Sequence, residues 1–266
     1  MPMPRLSIVI VSYNARADLE RCLDSLVRAR PAVDHEILVV DNASPDDTVE
    51  ALRARWPGVR LVEAGGNVGF AKGNNLGVRQ SCGELVLLLN PDTLVPAGAV
   101  DALVALLDRR PDVAVVGPRL VDGQGRAELS FGGMISPLGE LRQKLRARGN
   151  VERLTSRERR VDWVSGACLL VRRADAEAVG LLDERYFMYT EDVDFCAAIR
   201  ARGRMVLFTP AAQVVHLRGR SRRTAPGPTA AAYRRSQIAF YEKHHPSWAP
   251  ILRLYLKLRG RSADTS

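Results

Sequence analysis

The chain alternates short unbroken apolar runs with stretches whose apolar residues recur at helical spacing. LSIVIVS (6–12), EILVV (36–40), VRLVEA (59–64), ELVLLL (84–89) and VAVVGP (113–118) have strand length and few charges. Between the first two, Leu19, Cys22, Leu23, Leu26 and Val27 recur at i, i+3, i+4, i+7 and i+8, the stripe of an amphipathic helix. SPDDTVEAL (44–52) reads as a helix start, with Ser44 as N-cap and Pro45 in the first position. GFAKGNNLGVRQS (69–81) is helical in pattern but rich in glycine, and PAGAVDALVALLDRR (96–110) predicts a fourth helix.

Strands alternating with helices predict βαβ units and a mainly parallel sheet. Strands this apolar fit a sheet covered on both faces. Ligands of such sheets bind beyond the carboxyl ends of the strands. Three successive strand ends carry polar residues there: Tyr13-Asn14, Asp41-Asn42 and Asn90-Pro91-Asp92.

After about Gly123 the pattern loosens into a variable, basic segment that ends near Arg160. VDWVSGACLLVRR (161–173) predicts a strand, EDVDFCAAIRARG (191–203) a helix, RMVLFTP (204–210) a strand and AQVVH (212–216) another short one. Thr229 to Leu258 reads as mostly helical. The organisation expected is one domain over 1–225, with a first half (1–120), a variable segment (121–160) and a second half (161–225). Residues 226–266 form a helical extension.

Composition narrows the class. The 266 residues are 46% hydrophobic and 26% charged, ordinary for a globular protein. No apolar run approaches the roughly 20 residues that span a bilayer, and the N-terminus lacks the shape of a signal peptide. Cys22, Cys82, Cys168 and Cys196 form no CxxC pair and read as reduced thiols of a cytoplasmic protein. The net charge of +9 is concentrated at Arg142–Arg160 and Arg218–Arg235. Such stretches suit phosphates or anionic lipid. The absence of aromatic–basic interleaving and of any nucleic-acid motif argues against nucleic acid.

Several residues carry candidate chemistry, each with a plainer alternative. Asp92 leaves a strand end where it could bind a hard divalent cation, since such ions need only one or two carboxylates plus substrate phosphates; Asn90-Pro91-Asp92 is equally readable as a turn. Asp41 ends a strand where a ribose or base could be hydrogen-bonded, or merely shapes the turn with Asn42. The glycines of GGNVGFAKGNN imply close approach of backbone to ligand or of helix to sheet, because each mid-helix glycine costs about 1 kcal/mol. Asn67 and Asn74 could donate there to a nucleotide or sugar. His216 precedes a loop with Arg218, Arg220 and Arg222 that could cover a diphosphate; a lone histidine is also commonly structural.

MYTEDVDFC (188–196) holds three acids. With Thr190 as N-cap, Asp192 falls on the face of Cys196 and Ile199. Glu191 and Asp194 fall to the flank, where helix-dipole electrostatics accounts for them. An inward carboxylate at a positive helix end should stay ionised, as a general base for a sugar hydroxyl requires.

Together these stretches resemble the inverting glycosyltransferases of family 2, nearest the rhamnosyltransferase-like branch. The motifs are SIVIVSYN, VVDNASPDDT, GNVGFAKGNNLG, LLLNPDT, VSGACLLVRR, YFMYTEDVDFCAAIRARG, VVHLRGRS and YRRSQIAFYEKHHP, in order over 6–246. The resemblance implies a GT-A fold: a Rossmann-like, mostly parallel sheet flanked by helices, with a smaller acceptor-side region and C-terminal helices. It implies that Asp192 is the base, with Glu191 orienting the acceptor. Asp92 and His216 would hold Mn²⁺ or Mg²⁺. Ser12, Tyr13, Asn14, Asp41, Asn67, Gly69, Lys72, Asn74, Asn90 and Arg222 would bind the nucleotide sugar. Many GT-A enzymes carry Asp-x-Asp where this chain has Asn90-Pro91-Asp92; the branch often shows the asparagine, which leaves one carboxylate fewer for the metal. The implied donor is dTDP-rhamnose, with a UDP-hexose as the alternative, and the implied acceptor is a glycan or lipid-linked glycan of a surface polysaccharide.

A nucleotidyltransferase would carry a glycine-rich basic loop after the first strand, where this chain has SYNARADLE. A non-catalytic sugar-nucleotide-binding module would leave Asp92 and Asp192 without purpose. At the C-terminus, Trp248, Ile251, Leu252, Tyr255 and Leu256 share a helical stripe beside Arg253, Lys257 and Arg259. It either packs on the catalytic domain or docks the protein peripherally on the inner face of the plasma membrane. Nothing in the sequence encodes a readable oligomeric state.

Overall fold

The computed structural model describes residues 3–136, 151–217 and 226–258. The first half follows the apolar pattern. The strands β1 (Leu6–Ser12), β2 (His35–Asp41), β3 (Arg60–Glu63) and β4 (Leu85–Leu89) alternate with the helices α1 (Arg16–Ala29), α2 (Thr48–Arg55) and α3 (Gly69–Gln80). These four strands are parallel, in the order β3-β2-β1-β4. Then come β5 (Thr93–Leu94), α4 (Ala99–Arg109) and β6 (Val113–Val121).

The second half is less regular. It contains β7 (Phe131–Gly132), α5 (Val151–Leu154), β8 (Arg159–Arg160), β9 (Trp163–Val164), β10 (Cys168–Arg172), α6 (Arg173–Ala178), α7 (Glu191–Ala201) and β11 (Met205–His216). Two helices close the described chain, α8 (Pro226–His244) and α9 (Ala249–Leu258). β10 enters the main sheet between β4 and β6, antiparallel to both, and β11 pairs parallel with β6 and antiparallel with β5. Because β10 runs backwards, its N-terminal end arrives at the edge where β1, β2 and β4 have their carboxyl ends.

One core lies between the sheet, α1 and α4, through Leu19, Leu23, Leu103 and Leu107. A second lies on the other face under α3 and α7, through Ala71, Val78, Phe195 and Ile199. A third joins the C-terminal helices to α7 and the segment before it through Tyr186, Val193, Phe240, Tyr241 and Ala249. Two helical glycines answer to the helix–sheet approach. A Cβ on Gly77 would stand 2.5 Å from Val9 Cγ1, and one on Gly73 would stand 2.9 Å from Val11 Cγ1.

Four local expectations are corrected. α2 begins at Thr48, not beside Ser44, because Ser44 is engaged elsewhere: its N–H donates to Asp41 Oδ2 (2.9 Å) and its Oγ accepts from Asn14 N (3.0 Å). Thr190 precedes α7 but gives it no side-chain cap; it sits at φ 68° and its hydroxyl donates to Ser236 O in α8. VDWVSGACLLVRR is two strands, broken at Ser165–Ala167. RMVLFTP and AQVVH are one strand, β11, whose pairing with β6 slips between Thr209 and Gln213. Among the described residues no helix is long and apolar enough to cross a membrane.

Candidate active site

The carboxyl ends of β2, β1 and β4 bring the predicted nucleotide residues together. Ser12 pairs in register with Asp41, and Asn90 follows Leu89, which pairs with Cys168. Ser12, Asp41, Asn42 and Asn74 are buried, while Tyr13 and Lys72 are exposed. Asn42 Nδ2 donates to Gly69 O (3.1 Å), which ties the end of β2 to the start of α3. Asn67 Oδ1 accepts from Gly69 N (3.3 Å), and Asn74 Nδ2 donates to Phe70 O (2.9 Å).

What remains is a set of buried acceptors. Ser12 Oγ, Asp41 Oδ1, Asn42 Oδ1, Asn74 Oδ1 and Asn90 Oδ1 have no hydrogen-bond partner among the described residues. Buried polar atoms are normally paired, so these five oxygens near the carboxyl ends of β1, β2 and β4 mark a candidate site for a hydrogen-bonding ligand. Arg222 lies outside the described residues.

A second group sits where β5 meets β11. Thr93 pairs with His216, which brings His216 Nε2 to 3.3 Å from Asp92 Oδ1. Leu217 N donates to Asp92 O (2.8 Å) and pins the strand end. One carboxylate oxygen and one imidazole nitrogen at this spacing suit two neighbouring positions on a small cation. With substrate phosphates they make a donor set that fits Mg²⁺ or Mn²⁺. The other face of the ring meets a residue absent from the sequence reading: His216 Nδ1 lies 3.5 Å from Glu128 Oε2.

The third group starts α7. Asp192 accepts from Gly166 N through Oδ2 (2.9 Å) and from Val193 N through Oδ1 (2.8 Å). Gly166 belongs to the turn that breaks β9 from β10, and the next residue of that turn, Ala167, accepts from Asn90 N (2.9 Å). The base candidate is thereby tied, through one turn, to the strand end that carries Asn90. A Cβ on Gly166 would meet Phe70 Cε1 at 3.3 Å and Asp192 Cβ at 3.4 Å, a tight fit that leaves little room for a side chain there. Gly69, at φ +84°, lets Phe70 N donate to Phe187 O (2.6 Å) and joins the nucleotide side to the segment before α7.

The expected roles of the three acids need correction. Asp192 is the least buried of them; Glu191 and Asp194, placed on the flank by helical geometry, are the buried ones. Burial pushes Glu191 well above the ordinary carboxyl range, and the charge of Asp192 pushes it further. Its Oε2 has no partner among the described residues. Burial also raises Asp192, against the opposing pull of the N–H groups of Gly166 and Val193, so it holds a proton more readily than a helix-start carboxylate is expected to. Asp194 is a buried anchor: it accepts from Tyr186 OH (3.3 Å) and Lys243 Nζ (2.8 Å) and lies 2.6 Å from His244 Nε2. Lys243 and His244 lie in EKHHP; a lysine and a histidine some fifty residues on have no local signature in sequence.

Known proteins similar to this chain point to one family and one fold. The family model described as glycosyl transferase family 2 matches residues 7–180. A curated protein of Mycobacterium tuberculosis named N-acetylglucosaminyl-diphospho-decaprenol L-rhamnosyltransferase is 36% identical, over 96% of this chain and 91% of that protein. A Haloferax volcanii protein named low-salt glycan biosynthesis hexosyltransferase Agl10 is 30% identical over 73% of this chain and 61% of its own length. Among solved structures, GalNAc-T7 with UDP, GalNAc and Mn²⁺ superposes with a TM-score of 0.64 at 19% identity, over 89% of this chain and 48% of that one. The mannosyltransferase PcManGT of Pyrobaculum calidifontis, with GDP-Man and Mn²⁺, gives 0.63 at 21%, over 94% and 68%. At those identities they establish the GT-A fold.

Proposed function

The chain belongs to glycosyltransferase family 2, and we propose that it transfers rhamnose, with inversion, from dTDP-rhamnose to a hydroxyl of a lipid-linked glycan. The observation that carries the reaction type is Asp192, fixed by two backbone N–H groups at the sheet edge where the buried acceptors of β1, β2 and β4 converge. The donor and acceptor classes draw on the name of the mycobacterial relative.

The chemistry follows from charge. Cleavage of the anomeric C–O bond leaves the electron pair on the departing diphosphate while the acceptor oxygen attacks the opposite ring face. Asp192 takes the acceptor's proton. Each of its oxygens accepts one N–H and keeps a second lone pair, and its raised proton affinity strengthens it as a base. Asp92 and His216 would hold the divalent ion, which supplies Lewis-acid stabilisation of the leaving diphosphate. Ser12, Asp41, Asn42 and Asn74 offer hydrogen bonds to the nucleoside. A panel of dTDP- and UDP-sugars, scored by nucleoside diphosphate release, identifies the donor. Asp192→Asn is expected to lower kcat by about 10²–10⁴-fold with donor affinity retained; persistent transfer would remove Asp192 from the role of base.

The acceptor side bears a face suited to the lipid. Ala249, Leu252 and Leu256 turn α9 inward, whereas Trp248, Ile251, Leu254, Tyr255 and Leu258 are between 46% and 79% exposed. The sequence stripe is thus divided: Leu252 and Leu256 pack on the domain, and a second apolar stripe faces out. Trp and Tyr at its rim, Lys257 beside it and Arg259 and Arg261 next in sequence favour an anionic bilayer surface as its occupant. The full chain is expected to sediment with phosphatidylglycerol vesicles at low salt, and Ile251→Glu with Leu254→Glu to release it. Failure to sediment, or sedimentation of the double variant, would sink the membrane contact and leave the transferase reading intact.

A further inference from the structure

The imidazole of His216 lies between two carboxylates that meet opposite sides of the ring. Nε2 lies 3.3 Å from Asp92 Oδ1 and Nδ1 lies 3.5 Å from Glu128 Oε2, ion-pair distances at which neither contact has hydrogen-bond geometry, so the Nδ1–H bond argued below forms when a bound cation sets the ring. All three side chains are largely sheltered: His216 is buried, and the side chains of Asp92 and Glu128 are 19% and 16% exposed. A histidine can ligate a cation through only the nitrogen that carries no proton, so the other nitrogen must bear it and needs an acceptor.

We propose that Glu128 is a positioning residue for the metal site: it takes the Nδ1–H of His216 and thereby presents the Nε2 lone pair toward Asp92. The inference rests on the metal role given above to Asp92 and His216 and extends it to a residue from a different element. Metal-bound histidines commonly hand their second N–H to a carboxylate in this way, and loss of that partner typically costs 10–100-fold in metal affinity.

The surrounding backbone is built to hold Glu128 there. Its N–H donates to Leu120 O (2.9 Å) on β6, and the preceding residue bridges Val121 at the end of the same strand. Ala127 N donates to Glu152 Oε1 (3.1 Å), and Glu152 is itself paired with Arg119. β6 in turn runs parallel to β11, with Val121 opposite Val215, next to His216. The hairpin after β6 therefore brings Glu128 to His216 through regular pairing, from a stretch whose sequence shows no periodicity.

The geometry also separates this role from direct ligation. Glu128 meets the nitrogen on the side of the ring away from Asp92, so it acts through His216. A glutamine at 128 keeps a carbonyl oxygen able to accept the Nδ1–H, whereas alanine removes the acceptor. The two variants thus divide positioning from bulk charge and from packing.

The test is a Mn²⁺ titration of the full-length protein, followed by electron paramagnetic resonance, alone and with dTDP. Glu128→Ala is expected to weaken Mn²⁺ binding by about 10-fold or more, and Glu128→Gln to recover most of that loss. The Mn²⁺ concentration for half-maximal transfer should move by the same factor, and the two variants should melt within a few degrees of each other. Unchanged Mn²⁺ affinity in Glu128→Ala, or equal loss in both variants, would overturn the inference. Wild-type protein that binds no Mn²⁺ yet transfers sugar in the presence of chelator would overturn it together with the metal role, while leaving the transferase reading standing.

Discussion

The two corners of the site that carry carboxylates are built on opposite electrostatic plans. At the junction of β5 and β11, Asp92 and Glu128 each face a nitrogen of one imidazole. At the start of α7, Glu191 and Asp192 are neighbours with no cationic side chain paired to them among the described residues, and burial raises both. Under the proposed function, the first plan keeps negative charge in place for a cation and a diphosphate, and the second raises proton affinity where a proton is to be taken up. Lys243 and His244 of α8 meet Asp194 instead, two residues on. One short acidic run therefore separates anchoring from chemistry by a half-turn of helix.

The contrast can be broken most sharply by exchanging what each corner loses. Asp192→Asn should remove turnover and spare donor affinity. Asp92→Ala should do the reverse in part: Mn²⁺-dependent donor binding, read by calorimetry, is expected to fall by about 10²-fold, with turnover falling alongside. Equal donor affinity in the two variants would erase the division of labour. The smallest effect is on stability. Glu191 is raised in the folded protein, so its contribution is full below the ordinary glutamate pKa and is lost as pH rises through the folded value. The loss is at most about 1.4 kcal/mol per pH unit. Glu191→Gln carries no such dependence, so its Tm relative to wild type should climb as pH increases above the ordinary glutamate range. A constant difference across pH would show that Glu191 is ionised in the fold.

β1 and β4 were legible because they are buried on both faces and so read as unbroken apolar runs; β2 is buried over its second half, and the edge strand β3 shows only Leu61 and Val62 between exposed Arg60 and Glu63. The polar ends of β2 and β4, Asp41 and Asn90, were legible because they interrupt an apolar run. The direction of β10 was not legible, since Cys168–Arg172 has the same composition as a parallel strand. Nor was the approach to α7. Tyr189 and Thr190 both adopt positive φ, a conformation rare for such side chains, so the reading of Thr190 as a cap followed local preference while its contact with Ser236 decided otherwise. Asp92 and His216, named together from the sequence, are adjacent in space. Glu128 was out of reach because only the β6–β11 register brings it to the ring.

The reversed strand at the centre of the sheet also has a consequence in time. β4 is made early, yet its second neighbour, β10, ends at Arg172, and β6 joins the sheet only through β10 and β11. As the chain leaves the ribosome, the edge of LVLLL must therefore wait for more than eighty residues of further synthesis before it is covered. An apolar strand edge left open that long is a template for wrong pairing. Pauses in translation between α4 and β10 should accordingly be more damaging to yield than pauses after β11.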